Sequence, residues 1–244
     1  MGKKYSVSLR VPFYDVDLNQ NMKLSHLLAR CLYVSGLQSK ELGVSDQKIF
    51  ADYHLVWVIT DYDITINRLP HYDEEITIET QALSYNHYFC YRQFKILDQD
   101  SNLLLTIMGS FVLIDYRTRK LSSVVDEIVA PYESERTKKR LKGPKYPKLD
   151  ESIETQLPIT FFDYDLNGHV TNSQYLNWVY DSLSFEFLKE HTPKQINLRF
   201  LKEITGEGAI SSKVQFNDNT SYHEIQYHDA VHAQAIIEWR KNDL

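Results

Sequence analysis

The chain has 244 residues, 43% apolar and 25% charged, a balance that excludes a disordered chain, a collagen-like fibre and a coiled coil. Lysine and arginine number 27 against 33 acidic residues; the net charge of −6 argues against a general nucleic-acid binder, which needs a basic surface. No window approaches the ~18 apolar residues of a membrane span, and no signal-peptide core follows Met1-Gly2-Lys3-Lys4. Cys31 and Cys90 are the only cysteines, too few for a disulfide framework, so a reduced, cytoplasmic protein is expected.

An alternating strand pattern begins at Tyr5 and runs into FYDVDLNQNMKLSHLL (13–28). Apolar residues at Leu24, Leu27, Leu28, Cys31, Leu32 and 34–37 predict a helix over 24–44, with Ser25 as N-cap and Gly43 as stop. Strands are expected at 54–66, 74–85, 88–98 and 103–115, with a hairpin turn at 98–102. Residues 116–157, with the basic run 136–148 and Pro144 and Pro147, read as a connector, partly helical over 132–142. A second helix is expected over 172–191, capped by Asn172 or Ser173 and ended before Pro193. Strands follow at 195–204, 209–217, 222–229 and 231–240, with a turn at 217–219.

The chain repeats itself. FFDYDLNGHVTNSQYL (161–176) aligns with residues 13–28 at an offset of 148 without gaps. The identities are Phe13/Phe161, Asp15/Asp163, Asp17/Asp165, Leu18/Leu166, Asn19/Asn167, Ser25/Ser173 and Leu28/Leu176, where chance gives about one. Each half thus reads as a lead strand, a long helix and a run of antiparallel strands, an α+β unit with the helix on one face of the sheet.

A strand followed by D-x-N-x-H-V-x-N-x-x-Y leading into a long helix resembles the hotdog fold. Two tandem copies, the second carrying DLNGHVTNSQYLNW (165–178), resemble the acyl-ACP thioesterases of plants and bacteria. The resemblance implies a tandem hotdog: residues 1–120 an acyl-pocket copy that sets chain length, 121–154 a connector, 155–244 the catalytic copy. It implies hydrolysis of acyl-[acyl carrier protein] to fatty acid and carrier, ending fatty-acid synthesis. The family's catalytic residues match Asp165, Asn167, His169 and Glu203. In plants a cysteine follows the glutamate; here that position is Ile204, which argues against an obligatory cysteine nucleophile and leaves water as the attacking group.

Glu203 is the candidate general base, expected in an apolar channel that raises its pKa. Asn167 suits holding the carbonyl or the water, His169 donating to the carbonyl oxygen or shuttling a proton, and Asp165 orienting His169 or Asn167; Asp165 is also a candidate base. The N–H groups opening the second helix suit an oxyanion. Copy one has Asn21 at the histidine position, and the glutamate position falls near Pro70. One site per chain is therefore expected, with copy one lending acyl-pocket residues Met22, Leu27, Tyr33, Val56, Trp57 and Ile59.

A plainer reading makes Asp165 and Asn167 helix caps or turn braces, as in copy one. Cys31 and Cys90 read as packing residues. No metal or organic cofactor is implied; His223, His228 and His232 straddle a hairpin rather than form a cluster. Arg136, Lys138, Lys139, Arg140 and Lys142 are either a solvated connector or a dock for the acidic carrier protein. The competing functions are an acyl-CoA thioesterase, a non-catalytic acyl-binding module and, less favoured, a hydratase. No membrane insertion is expected, and the chain is read as monomer or homodimer.

Overall fold

The computed structural model describes residues 2–242. Strand β1 (Lys4–Arg10) leads through a single 3-10 turn at Phe13–Asp15 to helices α1 (Leu24–Glu41) and α2 (Asp46–Tyr53). Strands β2 (Leu55–Ile66), β3 (Glu75–Tyr85), β4 (Phe89–Asp98) and β5 (Leu103–Asp115) complete the first half. The linking segment holds two-residue strands β6 (Leu121–Ser122) and β7 (Glu135–Arg136) around short helix α3 (Asp126–Val129). The second half runs β8 (Ile153–Pro158), a 3-10 turn at Phe161–Asp163, α4 (Asn172–Asp181), α5 (Phe185–Glu190), β9 (His191–Phe200), β10 (Ala209–Asn217), β11 (Thr220–Tyr227) and β12 (Ala230–Lys241).

The main strands form one continuous sheet in the order β1-β3-β4-β5-β2-β9-β12-β11-β10-β8. Read outward from the β2–β9 seam, each half has the same order of equivalent strands, so the copies are related by a pseudo-two-fold. The seam is antiparallel, from Asp61 opposite Arg199 to Thr65 opposite Gln195. Helices α1 and α4 share one face of the sheet. Leu27, Leu28, Cys31 and Val34 from α1 and Tyr175, Leu176 and Val179 from α4 join Ile64, Ile78, Phe94, Ile196, Leu198 and Ile237 in a single core. This is the double hotdog architecture that the resemblance implied, built from the two α+β units of the repeat.

Several local expectations change. Helix α1 starts after Lys23 and α4 after Thr171, neither with a side-chain cap, so Ser25, Asn172 and Ser173 are helical residues. Backbone bonds hold the start of each helix instead: Lys23 N–H donates to Asp15 O and Thr171 N–H to Asp163 O, each at 2.8 Å. The second helix breaks at residues 182–184. There Ser182 Oγ donates to Val179 O at 2.7 Å and Ser184 caps α5 by accepting from Phe187 N–H at 3.2 Å. Short polar side chains compete for backbone groups and end helices in this way. Pro193 consequently lies inside β9. Helix α2, unforeseen from periodicity, is capped by Ser45 and stopped at His54 in the left-handed region.

The helix expected over 132–142 does not form. The segment crosses the sheet's other face, away from the helices. Leu141 N–H donates to Tyr91 Oη at 3.1 Å, Arg140 lies 4.6 Å over the Phe89 ring, Arg199 stacks on Tyr146 at 4.2 Å, and Asp150 N–H reaches Gln215. Pro144 and Pro147 suit an extended strap better than a helix.

Candidate active site

Residues 163–171 form a tight turn whose carboxylate is turned inward. Asp165 Oδ1 accepts from the N–H groups of Asn167 at 2.8 Å and His169 at 3.3 Å, and Asn167 Nδ2 donates to Asp165 Oδ2 at 3.2 Å. Asp165 N–H donates to His169 O at 2.8 Å. Gly168 sits at φ +75°, a conformation glycine adopts without Cβ strain. This turn delivers His169 with its ring partly exposed.

Glu203 comes from the loop after β9. Val170 N–H donates to Ile204 O at 3.0 Å, tying that loop to the turn, and brings His169 Nε2 to 3.5 Å from Glu203 Oε2. Arg119, contributed by copy one, bonds the same Glu203 oxygen. Arg119 lies at φ 55° in the turn after β5, where Asp115 Oδ1 accepts from Arg117 N–H, Thr118 N–H and Thr118 Oγ. The site therefore straddles the two copies.

Glu203 is not in an apolar channel. Its side chain is 37% exposed and ion-paired to Arg119. Ile204 beside it is fully buried in the core. Tyr175 lies buried beneath this loop, and burial pushes its phenol up, so it remains a neutral hydroxyl. Arg119 escaped the sequence reading because it sits in a polar, basic turn with no motif around it.

The same bonds recur in copy one. Asp17 Oδ1 accepts from Asn19 N–H at 2.9 Å and Asn21 N–H at 3.0 Å, and Met22 N–H donates to Pro70 O at 2.7 Å. Arg68 N–H reaches Leu104 O as Lys202 N–H reaches His232 O, both at 3.2 Å. Pro70 thus matches Ile204, and the glutamate position is Leu69. Asn21 and Leu69 replace the His169–Glu203 pair.

A cavity of about 480 Å³ opens at this copy-one motif. Asp17, Asn19, Asn21, Met22 and Leu69 line one side, and Tyr180, Phe185, Leu188, Pro193 and Trp239 of copy two line the other. The copy-one motif thus faces the helices of copy two. Ladder equivalence places Trp57, Ile59 and Phe111 of copy one where copy two has His191, Pro193 and Trp239. Tyr33 stands where copy two has Asp181.

The six residues expected to form an acyl pocket do not share one cavity. Met22 lines the copy-one cavity, Leu27 is in the core, and Tyr33 is exposed. Val56 alternates to the opposite face of β2 from Trp57 and Ile59. Arg136, Lys138, Lys139, Arg140 and Lys142 are exposed along the strap, on the face opposite the helices. Cys31 is buried and Cys90 partly so, its thiol pushed up to about 12 by burial. His223 bonds Ser221 at 2.7 Å and His232 bonds Lys202 O at 3.2 Å, while His228 lies in the β11–β12 turn.

Models of the acyl-ACP thioesterase N-terminal and C-terminal domains match residues 2–132 and 146–241. A chloroplastic acyl-[acyl-carrier-protein] hydrolase of Cuphea viscosissima is 27% identical over 187 residues, 73% of this chain and 45% of that protein. An oleoyl-acyl carrier protein thioesterase of Coriandrum sativum is 24% identical over 265 residues, covering 100% of this chain and 71% of its own. The chain spans about half the length of most of the plant relatives it matches. A Lactobacillus plantarum structure described as an oleoyl thioesterase superposes with a TM-score of 0.94 at 29% identity, covering 100% of this chain and 98% of that one. The 12:0-ACP thioesterase of Umbellularia californica shares the fold, with a TM-score of 0.85 at 18% identity over 98% of both chains. With both domain models matched in order along nearly its whole length, the chain belongs to the acyl-ACP thioesterase family.

Proposed function

We propose that this chain hydrolyses the thioester of acyl-[acyl carrier protein], releasing a free fatty acid and the carrier thiol at the end of fatty-acid synthesis. The observation that carries this reading is the His169–Glu203 pair in copy two, joined by Arg119. In copy one, Asn21 and Leu69 stand at those two places, so a histidine–glutamate pair at these positions is present in copy two only.

Glu203 acts as the base. It takes a proton from a water whose oxygen attacks the thioester carbonyl carbon. Arg119 holds the carboxylate in place, and His169 helps position the water and passes the proton to the departing sulfur. The N–H groups opening α4 favour the oxyanion, because first-turn N–H groups lack partners and sit at the positive end of the helix dipole. Asn167 orients the carbonyl. Asp165 orients the turn rather than serving as base, since both its oxygens accept bonds within the turn.

Copy one is the acyl-binding partner, with Trp57, Ile59 and Tyr33 on the wall facing the catalytic motif. The exposed cations of the strap, Arg136, Lys138, Lys139, Arg140 and Lys142, are the proposed dock for the acidic carrier. Both halves of the site come from one chain, so a monomer suffices. A cytoplasmic setting accords with two free cysteines. The test is thiol release from matched acyl-ACP and acyl-CoA panels. Preference for acyl-ACP, lost in His169→Ala, is the expected result. Faster turnover of acyl-CoA would reassign the carrier, and binding without hydrolysis would overturn the enzyme reading.

A further inference from the structure

The copy-one cavity is the pseudo-symmetric counterpart of the proposed catalytic site, and it is not filled. It keeps the braced turn, with Asp17 in the role of Asp165 and Asn19 matching Asn167, and it lacks the histidine and glutamate. Its volume of about 480 Å³ lies within the range of small-ligand pockets, roughly 300–1,000 Å³. Apolar side chains make its body: Met22, Leu69, Phe185, Leu188, Pro193 and Trp239. Leu69 puts hydrocarbon where the catalytic site has a carboxylate.

Two further features point to an occupant. The hydroxyl of Tyr180 is buried without a hydrogen-bond partner, and Tyr180 is one of the residues that line this cavity. A buried hydroxyl left unpaired is costly, and an acceptor brought in beside it would relieve that cost. The carboxylates and lysines of the lining balance, Asp17 and Asp181 offsetting Lys23 and Lys189, and His191 and the amides of Asn19, Asn21, Gln174 and Asn177 add further polar groups. That lining suits a neutral carbonyl head better than a free carboxylate. Asn19 Nδ2 also donates to Leu188 O and Lys189 O, at 3.3 Å and 3.1 Å, closing the motif onto the end of α5.

We infer that this cavity is a second acyl site, which holds the chain of an uncharged acyl thioester and does not cleave it. The inference extends the proposed hydrolase reading, because it assigns the degenerate copy the same ligand class. Each chain then carries two acyl sites, one hydrolytic and one for binding alone.

The test uses the intact protein and ketone analogues of acyl-N-acetylcysteamine thioesters, with the sulfur replaced by CH2 so that they cannot be hydrolysed, over medium to long chains. Calorimetry is expected to give two ligands per chain. Leu188→Trp, which fills the copy-one cavity, is expected to reduce this to one. A photoreactive version of the same ketone keeps the test independent of whether that variant folds. On unmodified protein it should label the segment from Phe185 to Pro193 as well as the wall of the catalytic motif. One ligand per chain with no label between Phe185 and Pro193 overturns the inference even if thioester hydrolysis is intact. Two bound chains without hydrolysis would retain it while overturning the hydrolase reading. Tighter binding of the matching free fatty acids than of the ketones would also overturn it, since the lining argues for a neutral head.

Discussion

The two DxDxN turns of this chain are built with the same hydrogen bonds and differ in what they present. In both, an aspartate accepts backbone N–H groups two and four residues on, and the next residue after the turn donates to a loop carbonyl across the sheet. In copy two that frame aims a histidine at a glutamate; in copy one the same frame holds an asparagine and a leucine. The aspartate braces the turn in both copies, and on the proposed reading the chemistry enters through the two positions that vary. Duplication lets one frame be kept twice and the proposed reactive pair be held once.

The largest expected effects come from moving copy one's residues into copy two. Glu203→Leu and His169→Asn should each lower kcat/KM for acyl-ACP by about 100-fold or more, the usual range for losing an acid–base group, with the thermal midpoint little changed. Near-normal turnover in Glu203→Leu would return the base to Asp165. Arg119→Ala should cost about 10-fold, partly restored by Arg119→Lys, because the arginine holds the carboxylate rather than touching the thioester. An unaffected rate would mean that the pair with Glu203 is a surface contact only.

Stability, unlike activity, should not separate the copies. Asp17→Ala and Asp165→Ala should each destabilise by about 1–2 kcal/mol in denaturant melts, since each leaves two backbone donors without their acceptor. A clear inequality between the two would show that the turns are not equivalent braces.

The core offers a titration contrast. Phe94 of copy one corresponds through the strand ladder to His223 of copy two, and burial holds His223 down to about 3. The unfolded chain binds a proton at the ordinary value near 6.5. The folded state therefore keeps its full stability above that pH and loses about 1 kcal/mol for each pH unit below it, until pH approaches 3. His223→Phe should flatten this slope in melts between pH 7 and 5. An unchanged slope would assign the acid sensitivity to other groups.

The smallest expected effect is at the strap. Charge reversal at Lys138, Lys139 and Lys142 should lower kcat/KM for acyl-ACP by several-fold at low salt and leave acyl-N-acetylcysteamine turnover alone. Equal loss on both substrates would remove the docking role.

Much of this was legible in residue patterns. Alternation located β1 to β5 and β9 to β12 within about four residues, because each has one buried face, whereas β8 and the two-residue strands β6 and β7 fell in the stretch read as connector. The repeat was legible because both turns need aspartate and asparagine at fixed spacing to satisfy their backbone. The helix starts were not, since Ser25, Asn172 and Ser173 are good capping types and the backbone bonds that hold those starts leave no trace in side-chain identity. The break at 182–184 was obscured by apolar residues that continue at helical spacing on both sides.

What the sequence alone determined is local or repeated: the two α+β units, their motif turns, and the asymmetry of His169 and Glu203 against Asn21 and a non-acidic partner. What only the tertiary structure decided is what lies across the pseudo-two-fold: that Arg119 of one copy reaches Glu203 of the other, that Leu69 replaces that glutamate, that the strap crosses the far face, and that a cavity remains at the degenerate turn. The physical reason is range. Strand alternation, helix period and turn chemistry act within a few residues, whereas contacts between residues 84 apart or more are set by how two helices and a twelve-stranded sheet close on one another.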